Sequence, residues 1–264
     1  MRTVRIATRA SKLALTQSNH IASRLRDLSD NIDVQIVEIS TKGDRDKSDF
    51  LYKVGTMGFF TSEVENALLD GRADLAVHSL KDLPTAIRDG LIVAAIPVRE
   101  NVADALISNV AASSIEDLPQ GATVGTSSLR RIAQLKHIRP DLDCQPLRGN
   151  VETRVSKVES GQIDAIIIAS AGLNRLGLSD KITAILPPEK FLPAPAQGAL
   201  AVQIREDDAE LNEIVKKLED KNARLTAETE RHILSVMHGG CSIPLGVYCS
   251  VSDNTISIDA SRLS

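Results

Sequence analysis

The sequence predicts an α/β protein in which strands and helices alternate along most of the chain. Apolar segments at residues 4–8 and 165–169 are typical of strands, and stretches with helical periodicity lie between such segments. Residues 71–77 and 161–167 share a Gly-x-x-Asp pattern, and each leads into an apolar strand. Repeated strand–helix units favour parallel sheets with helices on both faces.

Local patterns predict each element of the first half in turn. A strand at 4–8 is followed by a helix that starts near Ser11 and runs to about Leu28, and then by a strand at 34–39. A helix opens at 61–65, where a Thr or Ser cap precedes acidic residues that suit the helix dipole. A buried strand at 73–78 then ends at a polar turn.

A second unit with the same plan begins near Val102. It has a strand at 123–125, a helix at about 128–138 and the apolar strand at 165–169. Two related lobes that face one another would form a cleft, because ligands of open α/β sheets favour the carboxyl ends of strands.

Proline-rich segments at 186–188 and 192–195 mark the next connection. A strand at 199–204 and a charged helix at about 208–218 follow it. A last segment from about Asn222 has a helix, a turn that contains Cys241, and short strands.

Composition excludes several classes of protein. In 264 residues, the hydrophobic fraction of 42% and the charged fraction of 25% indicate a globular chain. We expect a cytoplasmic protein, because no apolar run approaches membrane-spanning length, no signal peptide opens the chain, and three cysteines do not form a disulfide framework. A net charge of −4 and 2% aromatic residues argue against nucleic-acid binding. Scattered histidines and the absence of a Cys-x-x-Cys pair argue against a metal site.

Positive charge is concentrated in residues 121–157, which contain seven Lys or Arg and three Asp or Glu, a local charge of +4. Such a stretch predicts either a small polyanionic ligand in a cleft or a solvated basic face. Charge alone leaves both interpretations open.

Five segments place arginine or lysine beside small residues at predicted strand or helix edges. Arginine binds carboxylates in a bidentate manner, and hydroxyl groups add neutral donors. One such segment would indicate a surface ion pair, whereas five suggest that several carboxylates are bound at once. The segments contain Arg5, Arg9 and Ser11; Ser79, Lys81 and Asp82; residues 126–131; Arg148, Gly149, Asn150 and Arg154; and Asn174 and Arg175.

Two residues in this setting have chemistry of their own. Asp82 is a carboxylate among cations, suited to stabilise a developing cation or to move a proton; the alternative is that it pairs with Lys81 or caps a turn. Cys241 follows two glycines that allow an exposed turn, although a buried and inert cysteine is the usual case. Cys144 and Cys249 lie in apolar stretches and are predicted to be core residues. A hydrolase pair of His78 and Ser79 is disfavoured, because neighbours in a strand point to opposite faces.

In this order, the segments resemble the porphobilinogen deaminase (hydroxymethylbilane synthase) family almost from end to end. The blocks that match are residues 5–11, 76–84, 125–131, 147–151 with 153–154, 171–176, 197–199, 239–241 and 244–246.

The resemblance implies a transferase of tetrapyrrole biosynthesis. Members condense four porphobilinogen molecules, each an aminomethylpyrrole with acetate and propionate arms, head to tail into hydroxymethylbilane with release of ammonia. Cys241 would carry a covalent dipyrromethane cofactor through a thioether, as the primer. Asp82 would face the pyrrole nitrogens, help ammonia to leave and stabilise the azafulvenium-like cation.

The family also implies where the acidic arms are held and how the chain is divided. A mobile loop would contain Met57 and Phe60. The implied fold has two periplasmic-binding-protein-like lobes, 1–98 plus 198–218 and 99–197, and a small, shortened α+β third domain, 219–264, that carries the cofactor. The implied substrate is porphobilinogen. We also expect a monomer, which is the default, and no nucleic acid, membrane or metal as a partner. The carboxylate-binding residues would be Arg9, Ser11, Lys81, Ser127, Arg130, Arg131, Arg148, Arg154 and Arg175.

Three features depart from the family pattern. Met57 replaces a lysine common in the family, and Met237-His238 stands where Leu-Glu is usual. We also expect the third domain to be shorter than in typical members. The alternative function is a non-catalytic carboxylate-binding protein, against which Asp82 and Cys241 argue.

Overall fold

A computed structural model describes residues 2–29, 31–41, 61–237, 243–253 and 255–263. The chain divides into two compact units. The first comprises Met1–Glu100 and Ala199–His232, and the second comprises Asn101–Gly198 and Ile233–Ser264. Residues 219–232 therefore lie in the first unit, and a separate third domain over 219–264 stays a prediction.

The first unit is built on a five-stranded sheet with the order β2-β1-β3-β10-β4. β1 is parallel to β2 and β3, whereas β10 is antiparallel to both β3 and β4. The strands are β1 (Arg2–Thr8), β2 (Ile32–Glu38), β3 (Leu75–Ser79), β4 (Leu91–Ala95) and β10 (Leu200–Arg205). The helices of this unit are α1 (Lys12–Leu28), α2 (Ser62–Leu69), α6 (Ala209–Val215) and most of α7 (Lys221–Val236).

Alternate residues of β1 pack against different core clusters, as the period of a strand requires. Val4 and Ile6 pack in one cluster with Ile21 of α1. Ala7 packs in another cluster with Val64 of α2. Helices therefore cover both faces of the sheet, and its central strand β3 is buried up to the turn that follows it.

The second unit contains a five-stranded sheet with the order β7-β6-β8-β5-β9. β6 is parallel to β7 and β8, whereas β5 is antiparallel to β8 and β9. The strands are β5 (Asp104–Ser108), β6 (Thr123–Gly125), β7 (Asp143–Gln145), β8 (Ala165–Ala169) and β9 (Ala184–Leu186). The helices are α3 (Leu129–Ile138), α4 (Val151–Glu159) and α5 (Ser170–Arg175).

Both sheets are mixed, so the prediction of parallel sheets was wrong in part. Strands β2, β3, β7 and β8 each follow a helix and pair in parallel, as the strand–helix alternation predicted. The antiparallel members β10 and β5 lie just after the points where the chain passes from one unit to the other. A strand that enters a sheet without a crossover helix is not required to be parallel to its neighbours.

The last part of the described chain forms a two-stranded antiparallel sheet of β11 (Leu245–Ser252) and β12 (Thr255–Arg262). It is tied to the proline-rich connector, because the amide of Val247 donates to the carbonyl of Pro193 at 3.0 Å. Cys249 is buried here, and Cys144 packs half-buried against the second unit's core, as the sequence predicted for both. Within the described ranges, none of the helices has the length and apolar character needed to cross a membrane.

Candidate active site

Asp82 lies at the end of a 3-10 turn, Leu80–Asp82, that directly follows β3. Leu80 and Leu83 anchor the turn in the core, being 1% and 3% exposed. The carboxylate of Asp82 is exposed, and Lys81 is half-buried. The turn therefore presents a charged pair at the carboxyl end of a central strand, which is where ligands bind in α/β sheets.

A small cavity of about 40 Å³ adjoins this turn, and both Asp82 and Arg9 line it. Its volume would hold on the order of one to three water molecules, so a small polar group of a ligand would fit. The structure thus brings together two of the predicted residues from segments some seventy positions apart. The other lining residues are Ala14, Gln17, Thr61, Val64, Val77, His78 and Ser79.

Ser11 is the N-cap of α1, and its hydroxyl accepts from the amide of Ala14 at 3.3 Å. Serine is favoured at this position because its oxygen satisfies an amide left unpaired at the helix start. The positive end of the helix dipole favours an anion near this point. A role of Ser11 in carboxylate binding stays a prediction.

His78 belongs to a buried polar chain behind the cavity. Its Nε2 donates to Oε1 of Gln203 at 2.9 Å, and Nε2 of Gln203 donates to Glu65 at 3.1 Å. The amide of Gln203 donates to the carboxylate, so its oxygen faces the histidine, and this assigns the Nε2–H tautomer. Burial lowers the pKa of His78 to about 4, which keeps the ring neutral at neutral pH.

Ser79, the next residue, interacts with a different partner. Nε2 of Gln17 donates to its hydroxyl at 3.0 Å. The hydrogen bonds of His78 and Ser79 therefore run to separate residues, Gln203 and Gln17, and do not form a hydrolase pair.

In the second unit, Arg130 and Arg131 at the start of α3 both bind Asp104, the first residue of β5. Their Nη2 atoms lie 2.9 and 2.7 Å from its two carboxylate oxygens. Gln197 adds a third donor at 2.9 Å. Burial alone would raise the pKa of Asp104, but the charges of Arg130 and Arg131 outweigh that effect and hold it well below its usual range. The protein itself therefore supplies a carboxylate to two of the predicted carboxylate-binding arginines.

Asp104 was not among the residues that the sequence patterns predicted. It is fully buried, at 0% exposure. The available signal was a carboxylate at the head of the apolar strand Asp104–Ser108, since a buried charge needs an opposite charge nearby.

The other predicted residues of the second unit contact backbone atoms. The hydroxyl of Ser127 donates to the carbonyl of Leu147 at 2.9 Å. Arg154 donates to the carbonyl of Gly149 at 2.8 Å and Arg175 to that of Gly198 at 2.7 Å. These contacts orient each side chain from a backbone group close to it.

Arg148 has an unused donor. Its Nη2 is buried and has no hydrogen-bond partner within the described part of the chain. A buried unpaired donor is costly and is a place where a ligand oxygen would be accommodated.

The predicted set consists of cations and hydroxyls, so its chemistry fits a ligand with several carboxylates. Among the described residues, no three His, Cys, Asp or Glu side chains group as metal ligands.

Three predicted residues cannot be placed. Cys241 and the loop residues Met57 and Phe60 lie outside the described residues. Their predicted roles rest on the sequence resemblance.

Family models and relatives of known name match most of the chain. Residues 4–213 match the family model described as "Porphobilinogen deaminase, dipyromethane cofactor binding domain", and residues 224–263 match "Porphobilinogen deaminase, C-terminal domain". A porphobilinogen deaminase of Maridesulfovibrio salexigens is 48% identical over 258 residues, which cover 98% of this chain and 83% of the relative.

A second relative and a solved structure are also similar. A porphobilinogen deaminase of Brevibacillus brevis is 45% identical over 250 residues, covering 95% of this chain and 81% of the relative. A putative methionine-binding lipoprotein of Bacillus subtilis is 14% identical, with a TM-score of 0.49, and covers 84% of this chain and 92% of that one.

Proposed function

Because this chain belongs to the porphobilinogen deaminase family, we propose that it is the transferase that condenses four porphobilinogen molecules head to tail into hydroxymethylbilane. The observation that carries the proposal is the exposed carboxylate of Asp82, which shares a cavity with Arg9 at the end of β3. A fixed anion beside a fixed cation suits a substrate that carries acidic arms and becomes cationic as it reacts.

Each condensation breaks the bond between the aminomethyl carbon and nitrogen, and ammonia leaves. The positive charge that remains on the substrate is shared between that carbon and the pyrrole nitrogen. Asp82 stabilises this charge, and its carboxylate can accept a proton when the next pyrrole carbon has attacked and must lose one. One C–N bond is thus exchanged for one C–C bond at every step.

The cofactor of the family is dipyrromethane, and when bound it would supply the pyrrole carbon to which the first substrate unit is joined. We assign its attachment to the sulfur of Cys241, on the strength of the family resemblance alone. We assign its acidic arms, and those of the substrate, to Arg9, Ser11 and Lys81 in the first unit and to Ser127, Arg130, Arg131, Arg148, Arg154 and Arg175 in the second.

The contacts of the second unit rank these assignments. Arg130 and Arg131 share the single charge of Asp104, so the three groups together retain one net positive charge. Arg148 has a buried Nη2 without a partner among the described residues. We therefore expect Arg148 to gain a new hydrogen bond on ligand binding, and Arg130 and Arg131 to act mainly through their shared charge.

We further propose that the protein works as a monomer in the cytoplasm and uses neither nucleic acid nor membrane. The net charge of −4 and the low aromatic content support this assignment. Size-exclusion chromatography with light scattering tests the monomer, and a stable dimer would contradict it.

The proposed reaction is tested by incubating the purified protein with porphobilinogen. We expect one ammonia released for each porphobilinogen consumed, and an intact mass larger than that of the bare sequence by covalent pyrrole units. If no porphobilinogen is consumed and the mass equals that of the bare sequence, the proposed reaction is refuted and a carboxylate-binding protein is the remaining alternative.

A further inference from the structure

Arg231, which none of the sequence patterns singled out, contacts the turn that carries Asp82. Its Nη1 donates to the carbonyls of Leu80 and Leu83 at 3.0 and 2.7 Å, and its Nη2 donates to the carbonyl of Pro84 at 2.6 Å. All three acceptors lie within two residues of Asp82. One guanidinium therefore holds the backbone on both sides of the proposed catalytic carboxylate.

Arginine is suited to this task because its planar guanidinium has several donors in a fixed arrangement. The carbonyl groups of this turn need a hydrogen-bond donor, because the chain has left β3 at this point. Pro84 has no amide hydrogen and therefore provides no backbone donor here. Its remaining backbone bonds run from the amide of Leu80 to Ala199 and from that of Leu83 back to Leu80.

The helix that carries Arg231 is itself fixed within the first unit. Glu230 is fully buried and binds Arg99 through two hydrogen bonds of 3.0 and 2.7 Å. The amide of Asp220, just before α7, donates to the carbonyl of Ile96 at 2.9 Å. These contacts fix α7 within the first unit, and α7 in turn supports Arg231 in its contact with the turn.

We infer that Arg231 is a positioning residue for Asp82, which fixes the 80–84 turn so that the carboxylate faces the reacting part of the substrate. The inference rests on the proposed function, because Asp82 is the group that Arg231 serves. It assigns no contact between Arg231 and the substrate.

The inference is distinguished from a purely structural role by a double-mutant cycle. Displacement of a catalytic group by about 1 Å can cost on the order of 10²-fold in rate, so we expect Arg231→Gln to lower kcat by roughly 10- to 100-fold and to change KM much less. In the Asp82→Asn background, the same substitution should lower kcat by less than about threefold, because residues that act as a unit are not additive. Single-turnover ammonia release keeps the slow variants measurable.

Hydrogen exchange gives a readout that is independent of activity. In Arg231→Gln, amides in a peptide covering residues 79–85 should exchange roughly 10-fold faster. The matched control is Arg224→Gln, another α7 arginine, whose partners are Glu219, Glu228 and the carbonyl of Val93. This control should leave the exchange of 79–85 and kcat unchanged.

The outcomes separate the two proposals. Additive losses in kcat, or unchanged exchange at 79–85, would overturn the role of Arg231. A wild-type protein that releases no ammonia would overturn the proposed function, and the exchange experiment would still decide whether Arg231 holds the turn. Should Arg231→Gln fail to fold, Arg231→Lys takes its place, since it keeps the charge but has a single donor group.

Discussion

Substitution of Asp104 by asparagine should destabilise the protein strongly. The carboxylate is fully buried and binds Arg130, Arg131 and Gln197 at 2.7–2.9 Å. Asparagine removes the charge and leaves two buried guanidiniums without an anion. Loss of one partner from such a buried ion pair costs about 3–5 kcal/mol. Urea unfolding of the wild type and of Asp104→Asn at pH 7 measures the difference.

The same substitution should change the acid stability. The pKa of Asp104 lies below its usual value in the folded state, so its contribution to stability is complete above the unfolded pKa and is lost as the pH falls below roughly 4. The difference in the free energy of unfolding between the wild type and Asp104→Asn should therefore become smaller at acidic pH. The control is Asp141→Asn, which removes the exposed partner of Arg139 and should cost far less. Equal losses for Asp104→Asn and Asp141→Asn at pH 7 would refute the importance of the buried network.

Three further outcomes are expected. Asp82→Asn should retain the covalent cofactor and lose at least about 10²-fold in kcat, the scale of one acid–base group; near-normal turnover would remove Asp82 from the mechanism. Cys241→Ala should have the bare mass after expression, and a covalently bound dipyrrole in that variant would show that the attachment lies elsewhere. Burial lowers the pKa of His78 to about 4 in the folded protein. As the pH falls, the unfolded chain therefore binds a proton at this histidine at a higher pH than the folded protein does, and the free energy of unfolding should fall by roughly 3 kcal/mol between pH 6.5 and 4. His78→Gln should flatten that dependence in urea titrations, and an unchanged slope would contradict it.

Local patterns predicted most secondary structure because the elements obey simple periods. The strand at 123–125 and the helix that begins at Leu129 have nearly the predicted bounds. The direction of strands β5 and β10 was not predictable from such patterns. It depends on where the chain passes between units, which is a long-range property of the fold.

Contacts between distant residues were also beyond local patterns. Arg231 lies about 150 positions from the turn that it holds, and Asp104 lies 26 from Arg130. Neither pair shares a helix face or a hairpin, so no spacing rule connects its members. Sequence resemblance identified Asp82 and Arg9 because their segments match the family, whereas the residues that hold those segments in place became visible only as contacts.

The basic stretch at 121–157 shows why a count of charged residues overestimates the positive charge that is available to a ligand. Arg139 binds Asp141 and donates to the carbonyls of residues 115, 116, 118 and 119. Lys136 donates to the carbonyls of Pro140 and Leu142. These two cations are used by the protein's own backbone and by one carboxylate, which is neither of the two roles that the charge pattern predicted.

Arg148 differs from those cations, because its buried Nη2 has no partner within the described ranges. The cations of the stretch therefore differ in the partners that they have within the protein. Lys136 and Arg139 bind groups of the second unit itself, and Arg130 and Arg131 share one internal anion. Under the proposed function, the Nη2 of Arg148 is the donor that would bind a ligand oxygen. Since an unpaired buried donor gains more from a new partner than a solvated one, the cost of removing a ligand carboxylate should be greatest at Arg148.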